Sequence, residues 1–133
     1  MKRMDGPAML ARIYIGDADR HHGAPLYESI VAFLREQDVA GATVFRGIEG
    51  FGARAHLHTT RILRLSEDLP ILIEVVDQEE RLRRLLPEID AMVGDGLITL
   101  ERVEVVAYRG SLRDGEHPAG DGEHPVNDPS TGG

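Results

Sequence analysis

The sequence predicts an α+β domain made of two strand–helix–strand units, and three observations predict it. Two stretches, Leu26 to Leu34 and Leu82 to Val93, carry apolar residues at helical spacing. Four shorter stretches are rich in β-branched and aromatic residues, in alternation or in unbroken apolar runs. The six stretches follow one another as β-α-β, a polar loop, and β-α-β. That order is the split βαβ, or ferredoxin-like, pattern: βαββαβ, a four-stranded antiparallel sheet with two helices on one face.

Residues 1–7 read as a flexible leader. Ala8 to Gly16 reads as the first strand, with Ala11, Ile13 and Ile15 on one face and Leu10, Arg12 and Tyr14 on the other. Asp17 to Gly23 is polar and turn-like. Pro25 suits the first turn of a helix, where its missing N–H would be unpaired anyway. Leu26, Ile30, Phe33 and Leu34 form that helix's stripe, and it should end near Gln37 or Asp38. Thr43 to Ile48 reads as the second strand and runs into Gly50-Phe51-Gly52. A loop rich in Arg and His follows, and Arg61 to Leu65 reads as a short strand or a hairpin base.

Ile71 to Val76 is apolar on both faces and reads as the third strand. Asp77 with Glu80 offers a capping box for the second helix. Leu82, Leu85, Leu86, Ile89 and Val93 make its stripe, and Pro87 should kink it or end its regular part. Gly94-Asp95-Gly96 closes it. Ile98 to Tyr108 reads as the last strand, and its change of phase between Leu100 and Val103 predicts a bulge near Glu101 and Arg102. Residues 8–110 thus make one domain. From Ser111 to Gly133 apolar residues nearly vanish and Asp-Gly-Glu-His-Pro occurs twice, which reads as a disordered acidic tail.

Length and composition narrow the function classes. The chain has 133 residues, a formal charge of −8, no Cys and no Trp. An acidic chain with few aromatics points away from nucleic acid. No Cys means no disulfide and no thiolate-ligated zinc. No apolar run approaches the roughly 20 residues of a membrane span. The reading is cytoplasmic. No nucleophile elbow, Cys nucleophile or metal signature is present, so neither catalytic residues nor a metal site are expected. Glu74 reads as one partner of a subunit-interface salt bridge. The arginines at 81, 83 and 84 and the histidine pair His21 and His22 read as solvated.

The strands also carry a second apolar set, Leu10 and Tyr14 in the first and both faces of 71–76. A second apolar face implies a second cover, and the chain has no spare element to supply it, so another subunit is the economical answer.

Several phrases together resemble the PII signal-protein superfamily, and more closely an uncharacterised PII-like family of bacterial and archaeal proteins. They are Tyr14-Ile-Gly, Pro25-Leu-Tyr-Glu, Arg46-Gly-Ile-Glu-Gly-Phe-Gly, Leu65-Ser-Glu-Asp-Leu-Pro and Gly94-Asp-Gly96-x-Ile. The resemblance covers about 8–109 and implies a PII-like homotrimer with the sheets turned inward. It implies an inter-subunit cleft for a small effector, lined by Thr43, Arg46, Gly50, Phe51, Gly52, Gly94, Asp95 and Gly96. Glycines there would let backbone N–H groups approach phosphate.

The resemblance further implies a regulatory, signalling role. A loop carrying Arg54, His56, His58 and Arg61 would dock on a partner, such as a membrane transporter or ion channel. The chain departs from the PII pattern at Leu97, where PII proteins carry Lys, and at Tyr108 and Gly110, where they carry Arg. No cofactor is expected from the residues themselves; an adenine nucleotide is what the resemblance offers. Two other readings stand beside this one. One is a structural trimer that scaffolds a transporter or channel without sensing a ligand. The other is a metal-handling ferredoxin-like trimer, for which His56 and His58 would be the ligands.

Overall fold

The computed structural model describes residues 6–52 and 68–110. In chain order these form β1 (Gly6–Gly16), β2 (Arg20–His21), β3 (Ala24–Pro25), α1 (Leu26–Glu36), β4 (Ala42–Arg46), β5 (Pro70–Asp77), α2 (Glu79–Met92) and β6 (Leu97–Val105). The main sheet has four strands in the order β4-β5-β1-β6, and every neighbouring pair is antiparallel. The expected ferredoxin-like architecture is present.

Alternation along the central strands builds the core. Met9, Ala11, Ile13 and Ile15 of β1 face the helices together with Ile71, Ile73 and Val75 of β5. Leu26, Ile30 and Leu34 of α1 and Leu82, Leu85 and Ile89 of α2 close over them. Each buried Val, Leu, Ile or Met side chain among them contributes about 1.5–3 kcal/mol. α1 stops at Gln37, after which Asp38 adopts a φ of 58° and Val39 N–H returns to Leu34 O at 3.4 Å. Asp is one of the few residue types besides Gly that enters this left-handed region readily.

Several expectations need correction. β6 pairs with β1 in unbroken register from Gly6↔Val105 to Tyr14↔Leu97, so there is no bulge at Glu101 and Arg102. The apolar residues change face because both faces need them: Ile98 and Leu100 look toward the helices, and Val103 looks outward beside Ala8. α2 continues past Pro87 to Met92. Its N-cap is Gln78, without a side-chain capping bond, and Asp77 is used elsewhere. The polar turn before α1 holds a two-residue hairpin, with Arg20↔Pro25 and His21↔Ala24 paired. Its loop residues His22 and Gly23 have φ of 52° and 84°, the positive values a tight hairpin turn requires.

Boundaries shift by a few residues. β1 begins at Gly6, inside the expected leader, β4 ends at Arg46, and β6 ends at Val105. The expected strand at Arg61 to Leu65 and the tail from Ser111 lie outside the described residues. No helix among the described residues is long and apolar enough to cross a membrane.

Candidate functional site

The strand directions gather the glycine segments at one end of the sheet. β1 finishes there at Gly16, β4 leaves there into Gly47 to Gly52, and β5 and β6 begin there at Pro70 and Leu97. Gly47 N–H donates to Pro70 O at 2.7 Å, and Asp17 N–H donates to Leu69 O at 2.8 Å. The turn after β1 is further tied down by Gly16 N–H to Asp19 Oδ2 at 2.9 Å and Ala18 N–H to Asp68 Oδ1 at 3.1 Å.

Within one chain the two glycine segments do not meet. Gly50, Phe51 and Gly52 follow the edge strand β4, whereas Gly94, Asp95 and Gly96 precede β6 at the other edge. Two strands lie between them, so about 14 Å separates the two edges. Gly96 is required by packing: a Cβ there would lie 2.7 Å from Tyr14 O and 2.9 Å from Val93 Cγ1. Gly52 and Gly94 have open space where a Cβ would stand.

Thr43 pairs with Glu74 on the outer face, away from the helices. Arg46 shares the inner face with Ile71, and its Nη2 donates to Asp17 Oδ1 at 3.0 Å. That hydrogen bond is the main reason its guanidinium is held even above its usual range. Phe51 is 82% exposed and Ile48 91%. Arg54, His56, His58 and Arg61 lie outside the described residues.

Among the described residues no helix covers the outer face of the sheet. Phe45, Leu72, Tyr14 and Leu97 stand opposite one another across all four strands, an apolar row at the glycine end. Phe45, Tyr14 and Leu97 are exposed. The next row has Thr43, Glu74, Arg12 and Thr99. Arg12 Nε donates to Glu74 at 3.1 Å, and its Nη1 donates to Glu101 at 2.9 Å. Glu74 therefore has a partner in its own chain, and the bond to it is the main reason that Arg12 is held above its usual range. Tyr14 and Leu10 were legible as a second apolar set; Asp17 and Asp68, which fasten the glycine end, carry no sequence signal that would single them out.

No group of three or more His, Cys, Asp or Glu among the described residues is placed to hold a metal ion. His21 and His22 stack with ring centroids 4.0 Å apart.

Comparison with known proteins gives one family. Residues 8–105 match the family model of DUF190, described as "Uncharacterized ACR, COG1993". A UPF0166 protein of Aquifex aeolicus is 37% identical over 97 residues, which are 73% of this chain and 91% of that protein. A UPF0166 protein of Methanocaldococcus jannaschii is 36% identical over 104 residues, 77% of this chain and 94% of that protein. Among solved structures, CPII bound to ADP, AMP and acetate, from Thiomonas intermedia K12, superposes with a TM-score of 0.50 at 19% identity. It covers 77% of this chain and 91% of its own. That last likeness is one of fold.

Proposed function

We propose that this chain, which belongs to the DUF190 family and has a PII-like fold, is a non-enzymatic regulatory protein that assembles as a homotrimer and binds a small effector between subunits. One observation carries the reading. The two glycine segments lie at the same end of the sheet but on opposite edges, and the face between them carries an exposed apolar row that no helix among the described residues covers. A closed head-to-tail ring of copies sets the β4 edge of one copy beside the β6 edge of the next. The same ring covers the outer apolar row.

In that assembly Thr43, Arg46, Gly50, Phe51 and Gly52 of one copy face Gly94, Asp95 and Gly96 of its neighbour. Gly52 and Gly94, which packing within the chain does not demand, leave room for a ligand against the backbone. The CPII structure holds ADP and AMP, and an adenine nucleotide is the effector class we assign to this cleft. Its phosphates would meet backbone N–H groups. The segment carrying Arg54, His56, His58 and Arg61 serves as the partner-docking loop, with a membrane transporter or channel as the partner. An effector regulates such docking when it binds one arrangement of the loop better than another.

Sedimentation and calorimetry test this. The expected result is a trimer that releases or takes up heat with ADP in a panel that includes cyclic dinucleotides and bicarbonate. Tyr14→Asp should give a monomer with unchanged helix content, because the carboxylate is tolerated on an exposed face but not in a subunit interface. A monomeric wild-type chain that is silent across the panel would sink the proposal.

A further inference from the structure

The stretch from Gly47 to Gly52 leaves the sheet at Arg46, and Arg46 is held from outside the sheet. Its Nη2 donates to Asp17 Oδ1 at 3.0 Å. Asp17 sits in a turn fixed by contacts that do not use its own carboxylate, its N–H on Leu69 O at 2.8 Å and the Ala18 N–H on Asp68 Oδ1 at 3.1 Å. The turn therefore stays in place whatever its carboxylate does. The Asp17 and Arg46 side chains are 27% and 51% exposed, so a ligand arriving at the glycine stretch can reach both.

We propose that Asp17 holds Arg46 as an internal substitute for an effector's anionic group, and that such a group opens this latch by taking the place of Asp17 on the guanidinium. The inference rests on the cleft described above. A guanidinium presents its donors as a fork that suits carboxylate and phosphate. A phosphate that engages two of its nitrogens outcompetes a carboxylate that holds Nη2. Exposed ion pairs are weak, which makes this one exchangeable. Before exchange the Arg46 side chain ties the start of the glycine stretch to the turn after β1, beside the Gly47 N–H bond to Pro70 O at 2.7 Å; after exchange the guanidinium follows the effector and that backbone bond alone holds the start of the stretch.

Asp17→Asn and Arg46→Gln in the full-length chain test the proposal. Hydrogen exchange of amides 46–52 reads the latch without an effector. Each variant should raise it about fivefold, in line with the loss of one modest contact. The double variant should exchange no faster than either single one, because both remove the same contact. Amides of α2 should not change.

Titration with ADP reads the competition. Asp17→Asn should bind ADP more tightly than wild type, since the carboxylate no longer competes, and Arg46→Gln more weakly. A purely structural Asp17 predicts the reverse for Asp17→Asn. Unchanged exchange at 46–52 in Asp17→Asn, or weaker ADP binding by that variant, overturns the proposal. Raised exchange with no ADP binding by any variant or by wild type overturns the anion step together with the nucleotide reading of the cleft, and leaves the pair as the anchor of the stretch.

Discussion

The two ends of the sheet are held by different chemistry. At the glycine end the fastening consists of backbone hydrogen bonds and the exposed Asp17–Arg46 pair, beside the exposed side chains of Ile48 and Phe51. At the opposite end a carboxylate is buried. Asp77, 1% exposed, accepts from Ala40 N–H at 2.9 Å and from Gln78 N–H at 2.7 Å, with Arg81 Nε 3.5 Å away. Arg81 also donates to Gln37 O at 3.0 Å, and Tyr108 Oη donates to Ala40 O at 3.0 Å. Arg81 is thus a strut between α2 and the end of α1 rather than part of a solvated face. Hydrogen bonds to a charged group such as the buried Asp77 carboxylate each contribute about 1.5–3 kcal/mol, whereas exposed ion pairs contribute little. The molecule concentrates its strong polar side-chain contacts at the Asp77 end, and the side-chain contact at the glycine end is the exposed pair that the proposed effector would replace.

The largest test of that contrast is Asp77→Ala. It leaves the Ala40 and Gln78 N–H groups without their acceptor and Arg81 without its carboxylate, and should cost about 2–4 kcal/mol in urea unfolding. Asp17→Ala should cost far less. Equal losses would break the comparison, because the two ends would then be equally rigid.

A smaller effect separates the glycines themselves. Gly96→Ala places a methyl group against Tyr14 O and Val93, and should cost about 1–3 kcal/mol. Gly94→Ala, with open space around its Cβ, should leave the urea midpoint within about 0.5 kcal/mol of wild type. If Gly94 serves the effector, the same variant should weaken ADP binding despite its normal stability. A stability loss at Gly94 as large as that at Gly96 would mean that both glycines are there for packing.

How legible these ends were in the sequence follows from the range of the contacts. Ile13, Ile30, Ile73 and Ile89 repeat at strand or helix spacing, so the layers and their order could be read locally. The glycine stretch stood out as a candidate site through its resemblance to the PII pattern rather than through spacing. The Asp17–Arg46 pair could not, because its members are 29 residues apart and meet through the directions of β1 and β4. Asp77 misled for a related reason. Its position before a helix suggested a cap, but its second oxygen serves Ala40, 37 residues earlier in the chain. The phase change in β6 suggested a bulge because a sheet with one apolar face would need one. This sheet carries apolar residues on both faces, so Ile98 and Leu100 can turn inward and Val103 outward along a regular strand.

The smallest effect supplies a control for the comparison, since the Asp77 end also carries an exposed ion pair. Glu79, in the first turn of α2, accepts from Arg83 Nε at 2.8 Å and from Arg102 Nη1 of β6 at 3.0 Å. The hydrogen bond to Arg83, followed by that to Arg102, holds its carboxyl below the usual range. A carboxyl lowered on folding lends stability that is complete above its unfolded-state value. That stability is lost as pH falls through the lower folded-state value. The Glu79 contribution should therefore be constant from neutral pH down to the ordinary carboxylate range and fade below it, and Glu79→Gln should remove that part of the acid limb. Hydrogen exchange over residues 79–83 reads it locally. In Glu79→Gln the faster exchange should stay within the first turn of α2, because Asp77 still holds Gln78 and Ala40. Removing Asp17, whose side chain is 27% exposed against 37% for Glu79, should instead spread through 46–52, where no buried carboxylate lies behind the pair among the described residues. Spreading of the Glu79→Gln effect into residues 37–42 would show that the buried network at that end does not confine the loss, and that exposure of the pair alone sets how far it travels.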